Sequence, residues 1–271
     1  MMYKRILTIQ DVSCVGQCSL TVALPVLSAC GHETCILPTA LLSTHTGGFG
    51  TPVVVTFADA LPEIAEHWRR NGITFDAILT GYLGSVSAVH TAAQILETML
   101  APGGVGIVDP AMADHGKLYS GLDDRYVQAM QGLCAEADMI LPNLTEAALL
   151  SGQPCQDRTD EAYAHSLLDA LPNQRVILTG VGEQETGIVL QENGERRYYA
   201  HKKLAGSFSG TGDLFAAAFT GALMAGKTPY DSAKIAANFV CRCLECTAAQ
   251  PAHWYGVKFE PVLPELMDML R

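Results

Sequence analysis

From Met1-Met2-Tyr3-Lys4-Arg5 onward the chain has no apolar stretch of the length that export or membrane spanning requires, which points to the cytoplasm. Positive charge is scarce as well. Only 17 Lys and Arg stand against 28 Asp and Glu, and a formal charge of −11 argues against nucleic acid or an anionic membrane as the main partner. Any anionic substrate must be held by local devices. No linker or break in composition divides the 271 residues, of which 49% are hydrophobic, so 1–271 is expected to form one large α/β domain with a substantial core. The Gly-x-Gly-x-x-Gly turn that a dinucleotide-dependent oxidoreductase places after its first strand is also missing.

Cysteine is not scarce. An odd count of nine in a long, core-rich chain points to reduced thiols rather than a disulfide framework. Cys241, Cys243 and Cys246 form the one tight cluster, but on a helix they spread round the axis and no second ligand pair matches them, so buried apolar thiols are expected.

The hydrophobic pattern alternates strand and helix over most of the chain. Lys4–Ile9 reads as a first strand, Asp11–Gln17 as a loop, Ser19–Ala29 as a helix ending at Gly31, and Cys35–Pro38 as a short strand. After the glycine-rich loop 43–50 come helix 58–70, strand 77–80, helix 87–100, strand 105–108, helix 123–135 and strand 139–141. Helices 145–150 and 161–171 follow, then strand 175–178 and a hairpin, 187–191 with 196–201, turning at Asn193-Gly194. Such alternation implies a parallel sheet covered on both faces. Thr80-Gly81-Tyr82, Asp109-Pro110, Pro142-Asn143 and Thr179-Gly180 each follow the last apolar residue of a strand, so four loops deliver polar groups to one rim, where parallel sheets bind ligands.

Gly206-Ser207-Phe208-Ser209-Gly210-Thr211-Gly212-Asp213 runs directly into strong helix formers. Unpartnered amides and the helix dipole at such a junction hold anions, and small residues at 210–212 let a phosphate approach closely. Asp213 has two readings: a first-turn acid that stabilises the helix, or a base that accepts a hydroxyl proton while the loop amides hold a transferring phosphoryl group. A second phosphate-loop pattern, Gly221 to Thr228, lacks its preceding strand and is followed by Pro229; it reads as a helix stop at Gly226 with Thr228 capping the next helix.

Gly210-Thr211-Gly212-Asp213 resembles the catalytic loop of the ribokinase superfamily, whose members phosphorylate sugars and vitamins with Mg-ATP. Leu7-Thr8-Ile9-Gln10, His45-Thr46-Gly47, Gly81-Tyr82, Val108-Asp109-Pro110 with Asp114, and Pro142-Asn143-Leu144-Thr145-Glu146 look like its pyridoxal kinase branch and stand in order over nearly the whole chain. The resemblance implies a ribokinase-like three-layer α/β sandwich with a mostly parallel central sheet and helices on both faces. It implies ATP-dependent phosphorylation of the 5′-hydroxymethyl group of pyridoxal, pyridoxine or pyridoxamine by a homodimer. It also implies Asp213 as base, with Gly210, Thr211 and Gly212 as anion hole, and the vitamin near Asp11, His45, Thr46 and Tyr82. ATP then lies along Asp109, Asp114, Asn143, Glu146, Thr179, Thr211 and Gly212, with Lys202 and Lys203 as further contacts. Mg²⁺ is organised by Glu146 and Asp109, and a monovalent-ion requirement is left open.

Each of these residues also has an ordinary structural reading. Asn143 and Glu146 spell a helix-capping box, Asp109 a strand-ending turn, His45 a loop histidine with a local hydrogen bond, and Tyr82 a half-buried aromatic. Two positions depart from the family. Asp11 stands where pyridoxal kinases usually carry Ser, and a carboxylate favours a donor on the substrate ring. Leu141 stands where many relatives have Thr. Asp11 keeps a hydroxymethylpyrimidine kinase as the alternative, and a non-catalytic ligand binder is a third reading. The helix dipole is expected to lower the pKa of Asp213, which a loose phosphoryl-transfer transition state tolerates.

Overall fold

The computed structural model describes residues 3–204, 208–250 and 252–271. In chain order its elements are β1 (Arg5–Ser13), α1 (Leu20–Ala29), β2 (Glu33–Leu42), β3 (Val54–Thr56), α2 (Leu61–Arg70), β4 (Phe75–Thr80), α3 (Val86–Met99) and β5 (Leu100–Val108). A small hairpin of β6 (Ala113–Asp114) and β7 (Lys117–Leu118) precedes α4 (Asp124–Glu136), β8 (Met139–Ile140), α5 (Leu144–Ser151) and α6 (Glu161–Ala170). The chain then continues through β9 (Arg175–Val181), β10 (Thr186–Glu192), β11 (Glu195–His201), α7 (Thr211–Met224), α8 (Pro229–Ala248) and α9 (Leu263–Met269).

Among the described residues one nine-stranded sheet runs β11-β10-β9-β8-β5-β4-β1-β2-β3. The six strands from β9 to β2 are mutually parallel; β10 pairs antiparallel with β9 and with the edge strand β11, and β3 pairs antiparallel at the other edge. Period-two alternation splits the central strands between two cores: Leu7, Ile78, Val108, Ile140 and Val176 face helices α2 to α6, whereas Ile6, Leu79, Ile107, Met139 and Ile177 face α1, α7, α8 and α9. This is the three-layer sandwich that the alternation implied.

Three strand readings need correction. β1 continues past Ile9 to Ser13, and β2 extends from Glu33 through Pro38 to Leu42, because the register shifts between Gln10 and Val12, just beyond the pair Gln10 and Pro38. A proline cannot donate to the ladder, and a bulge there absorbs the loss. Asp11 therefore lies within strand β1, opposite the extra residue that β2 carries at Thr39 and Ala40, and not in a loop. Thr179 and Gly180 lie inside β9, where Gly180, at φ +80°, is skipped in the pairing with β10 and so forms a glycine bulge. β3, three exposed residues without alternation, gave no periodic signal. The turn at Asn193 (φ +52°) and Gly194 (φ +83°) has the two positive φ angles expected of Asn-Gly. The Gly221–Thr228 pattern ends α7, with Thr228 capping α8 and Pro229 at its first turn. No helix of the described residues is long and apolar enough to cross a membrane.

Candidate active site

Backbone hydrogen bonds continue across the sheet beyond the strand ends. The amide of Gly81 donates to Ile9 (3.1 Å), Asp109 to Thr80 (3.1 Å), Leu141 to Val108 (2.9 Å) and Thr179 to Pro142 (3.0 Å). These bonds set Asp11, Tyr82, Asp109, Asn143 and Thr179 side by side along one rim, in the order of their strands. Gly81 has no side chain because the Gln10 carboxamide fills that space, 2.7 Å from where a Cβ would stand.

α7 begins at this rim. Ser85, Asp123, Asn143, Asp160 and Thr228 cap their helices with side chains, but the N-cap of α7 is Gly210, which offers none. Among the described residues no side chain caps its first turn, the kind of helix start that can hold an anion. Gly210 has φ +85°, and a Cβ there would lie 2.1 Å from the Gln17 carbonyl. Gly212 is exposed, and its missing Cβ would meet only Asp109 Oδ2, at 3.9 Å. Conformational freedom is thus required at Gly210 and open space at Gly212. Gly206 and Ser207 lie outside the described residues.

Asp213 follows, partly buried. Burial pushes its carboxyl up to about 6, opposed by the Ser19 amide and reinforced by Asp11. This corrects the expected lowering: the helix dipole is outweighed by desolvation and by a second acid. Asp11 is itself buried and raised, with Ser19, Ser13 (Oγ to Oδ2, 3.5 Å) and His45 offsetting part of the desolvation. His45 accepts a hydrogen bond on Nδ1 from the Gly47 amide (3.0 Å), Thr46 is exposed beside it, and Tyr82 is half-buried within electrostatic reach of Asp11. His45 and Tyr82 thus gather around the buried Asp11.

On the other side of Asp213 stand Asp109 and Glu146, both buried. Asp109 is raised by desolvation and by the charges of Glu146 and Asp213, and no described residue donates a hydrogen bond to its carboxylate. Glu146 is also raised by burial, although both oxygens accept amides: Oε2 from Asn143 (2.9 Å), completing the capping box of α5, and Oε1 from Met112 (3.1 Å) and Ala113 (3.5 Å). Two mutually repelling acids, one without a donor, fit a hard cation. Among the described residues no three His, Cys, Asp or Glu side chains cluster to hold a metal by themselves.

Asn143, Thr145 and Glu146 also tether the β6–β7 hairpin: Asn143 Nδ2 donates to the Ala113 carbonyl (2.8 Å) and the Gly116 amide to Thr145 Oγ1 (3.0 Å). Asp114 is on this hairpin, exposed, and accepts from the His115 amide (2.8 Å). Thr179 abuts Asn143 through an isolated parallel bridge. Lys202 is ion-paired with Glu245 (3.1 Å) and Lys203 donates to the Glu183 carbonyl (3.3 Å), so neither is committed to the rim.

Three residues escaped the sequence reading. Ser19 is at φ +52°, a strained angle for a residue with a side chain, and brings its amide to Asp213. Gln17 packs under Gly210. Tyr119 lies 6.3 Å from Tyr82 between ring centroids and within electrostatic reach of Glu146, Asp109 and Asp213. Only strand-to-loop packing brings these together; no local spacing marks them.

A family model described as phosphomethylpyrimidine kinase matches residues 24–257. The chain belongs to that family. Within it the similarity is to pyridoxal kinases. The crystal structure of pyridoxal kinase from Lactobacillus plantarum is 37% identical, with a TM-score of 0.91 over 99% of this chain and 98% of that one. A candidate phosphomethylpyrimidine kinase of Bacteroides thetaiotaomicron, crystallised with pyridoxal, is 31% identical, with a TM-score of 0.88 over 98% of this chain and 96% of that one. The pyridoxine/pyridoxal/pyridoxamine kinase of Bordetella avium is 28% identical over 259 residues, 89% of this chain and 85% of the relative. This kinase family is the pyridoxal kinase branch of the ribokinase-like fold that the motifs at Gly210–Asp213 and His45–Gly47 resemble.

Proposed function

We propose that this kinase transfers the terminal phosphoryl group of ATP to the 5′-hydroxymethyl group of pyridoxal, pyridoxine or pyridoxamine. The observation that carries the reading is the place of Asp213: at the uncapped start of α7, with Asp11, His45 and Tyr82 to one side and Asp109 and Glu146 to the other. The amides at 210–212 hold the transferring group, the substrate oxygen attacks the terminal phosphorus, and the bond to the bridging oxygen of ADP breaks. The hydroxyl proton passes late to Asp213, so orientation matters more than basicity. ADP, the vitamin 5′-phosphate and one proton leave. Asp109 and Glu146 would hold Mg²⁺, which when bound neutralises phosphate charge. Asn143, Thr179 and the tethered hairpin with Asp114 wall the nucleotide, while Asp11, His45, Thr46 and Tyr82 hold the vitamin. Residues 1–271 act as one kinase domain in the cytoplasm. A homodimer is supported by β3, which is paired on one side only and exposes Val54 and Val55 beside Val53.

One observation favours a second substrate. Asp11 is a buried acceptor whose donors are the Ser19 and Ser13 hydroxyls, and an aminopyrimidine supplies further donors. ADP release measured side by side with pyridoxal, pyridoxamine, pyridoxine and hydroxymethylpyrimidine separates the two. Turnover is expected with the B6 vitamers; turnover of the pyrimidine alone selects the alternative, and no release with any of the four rejects catalysis.

A further inference from the structure

The segment from His253 to Gly256 takes part in no kinase motif, yet it touches two loops of the site and reaches a third through Gln17. Trp254 lies on the backbone of Gly48, where a Cβ would stand 2.5 Å from its Cζ3, and its ring centroid is 4.6 Å from that of Phe49. Tyr255 closes the cluster, 6.1 Å from Phe49 and edge-on to Trp254 at 5.8 Å. His253 Nε2 is 2.7 Å from Gln17 Oε1, the Gln17 amide donates to the Tyr255 carbonyl (3.3 Å), and Gln17 in turn supports Gly210. Trp254 is 57% exposed, so it adds little to either core and its packing is spent on loop 43–50. That loop contains Gly47, Gly48 and Gly50 and loses much backbone freedom on ordering, so it needs an external seat.

We propose that Trp254 is a positioning residue for the vitamin, holding His45 and Thr46 in place by seating Gly48 and Phe49. This rests on the reading of loop 43–50 as part of the vitamin site. The chain's other tryptophan, Trp68, packs edge-on against Phe75 at 5.7 Å. Steady-state kinetics of the full chain with pyridoxal and ATP varied in turn test the proposal in Trp254→Ala and Trp254→Phe. The alanine variant is expected to raise KM for pyridoxal roughly 3- to 10-fold, the scale of one lost aromatic pair, with KM for ATP and kcat within about twofold, and the phenylalanine variant to restore most of the loss. Hydrogen exchange in the unliganded protein gives a readout that needs no substrate: faster exchange in 43–50, with the start of α7 unchanged. An unchanged pyridoxal KM, an equal rise in both KM values, no recovery with phenylalanine, or unchanged exchange in 43–50 would each overturn the proposal. If the wild-type chain turns over no B6 vitamer, the substrate reading fails, and the exchange comparison still decides whether Trp254 seats the loop.

Discussion

Asp213 carries an electrostatic load before any ligand arrives: partial burial and the neighbouring Asp11 hold its carboxyl near 6, with the Ser19 amide as counterweight. As a base it must be ionised, so kcat/KM is expected to rise with pH through about 6 and then level, and Asp213→Asn to lower turnover by roughly 10²–10⁴-fold. The same shift makes a stability prediction of opposite sign. Between the ordinary carboxylate range and about 6 the folded chain binds more protons at Asp213 than the unfolded one, so this group's contribution to stability falls as pH rises through that window. Asp213→Asn should therefore stabilise the unliganded protein by about 1–2 kcal/mol at pH 8, with the gain vanishing near pH 4; thermal melting at both pH values checks it. The two glycines before it should separate cleanly. Gly212→Ala finds only ordinary contact and should melt like wild type while losing ATP turnover, whereas Gly210→Ala must leave a positive φ and clear the Gln17 carbonyl, so melting itself should drop. A Gly212→Ala enzyme of normal activity would remove the anion-hole assignment.

At the scale of elements, α5 does two jobs through one cap. The box of Asn143 and Glu146 satisfies the amides of its first turn, and the same side chains reach across to the β6–β7 hairpin at Met112 and Ala113. Asn143→Ala loses a helix cap worth ~1 kcal/mol and frees the Ala113 carbonyl, so a modest fall in melting temperature with a rise in KM for ATP is expected. A loss of stability with unchanged nucleotide KM would leave the cap purely structural. The box was legible as Asn-x-x-Glu, because capping depends on neighbours a few residues apart. Its second attachment was not, since Met112 and Ala113 are 34 and 33 residues away in sequence and meet Glu146 only when β5 and β8 pair.

The whole molecule is a sheet with a helical layer on each face, which leaves its edges as the places where chains can meet. On the β3 edge Val53 is 72% exposed, with Val54 at 49% and Val55 at 50%. If this edge joins two copies, light scattering should give twice the chain mass for wild type and the single mass for Val54→Asp, with melting little changed at low concentration. A single mass for the wild-type chain would discard the homodimer.

The order of strands and helices, the two-sided burial of the central sheet, the hairpin at Asn193-Gly194 and the glycine-led start of α7 were all set by residues acting within a few positions of one another. Period, capping and glycine conformation are local properties, and a linear text carries them. The β2 bulge opposite Asp11 and the bulge at Gly180, the raised pKa of Asp213, the reach of Glu146 to another loop and the seat that Trp254 offers to Gly48 came only with the fold. Desolvation, charge–charge repulsion and long-range packing depend on distances between segments far apart in the chain, and those distances exist only once the sheet has assembled.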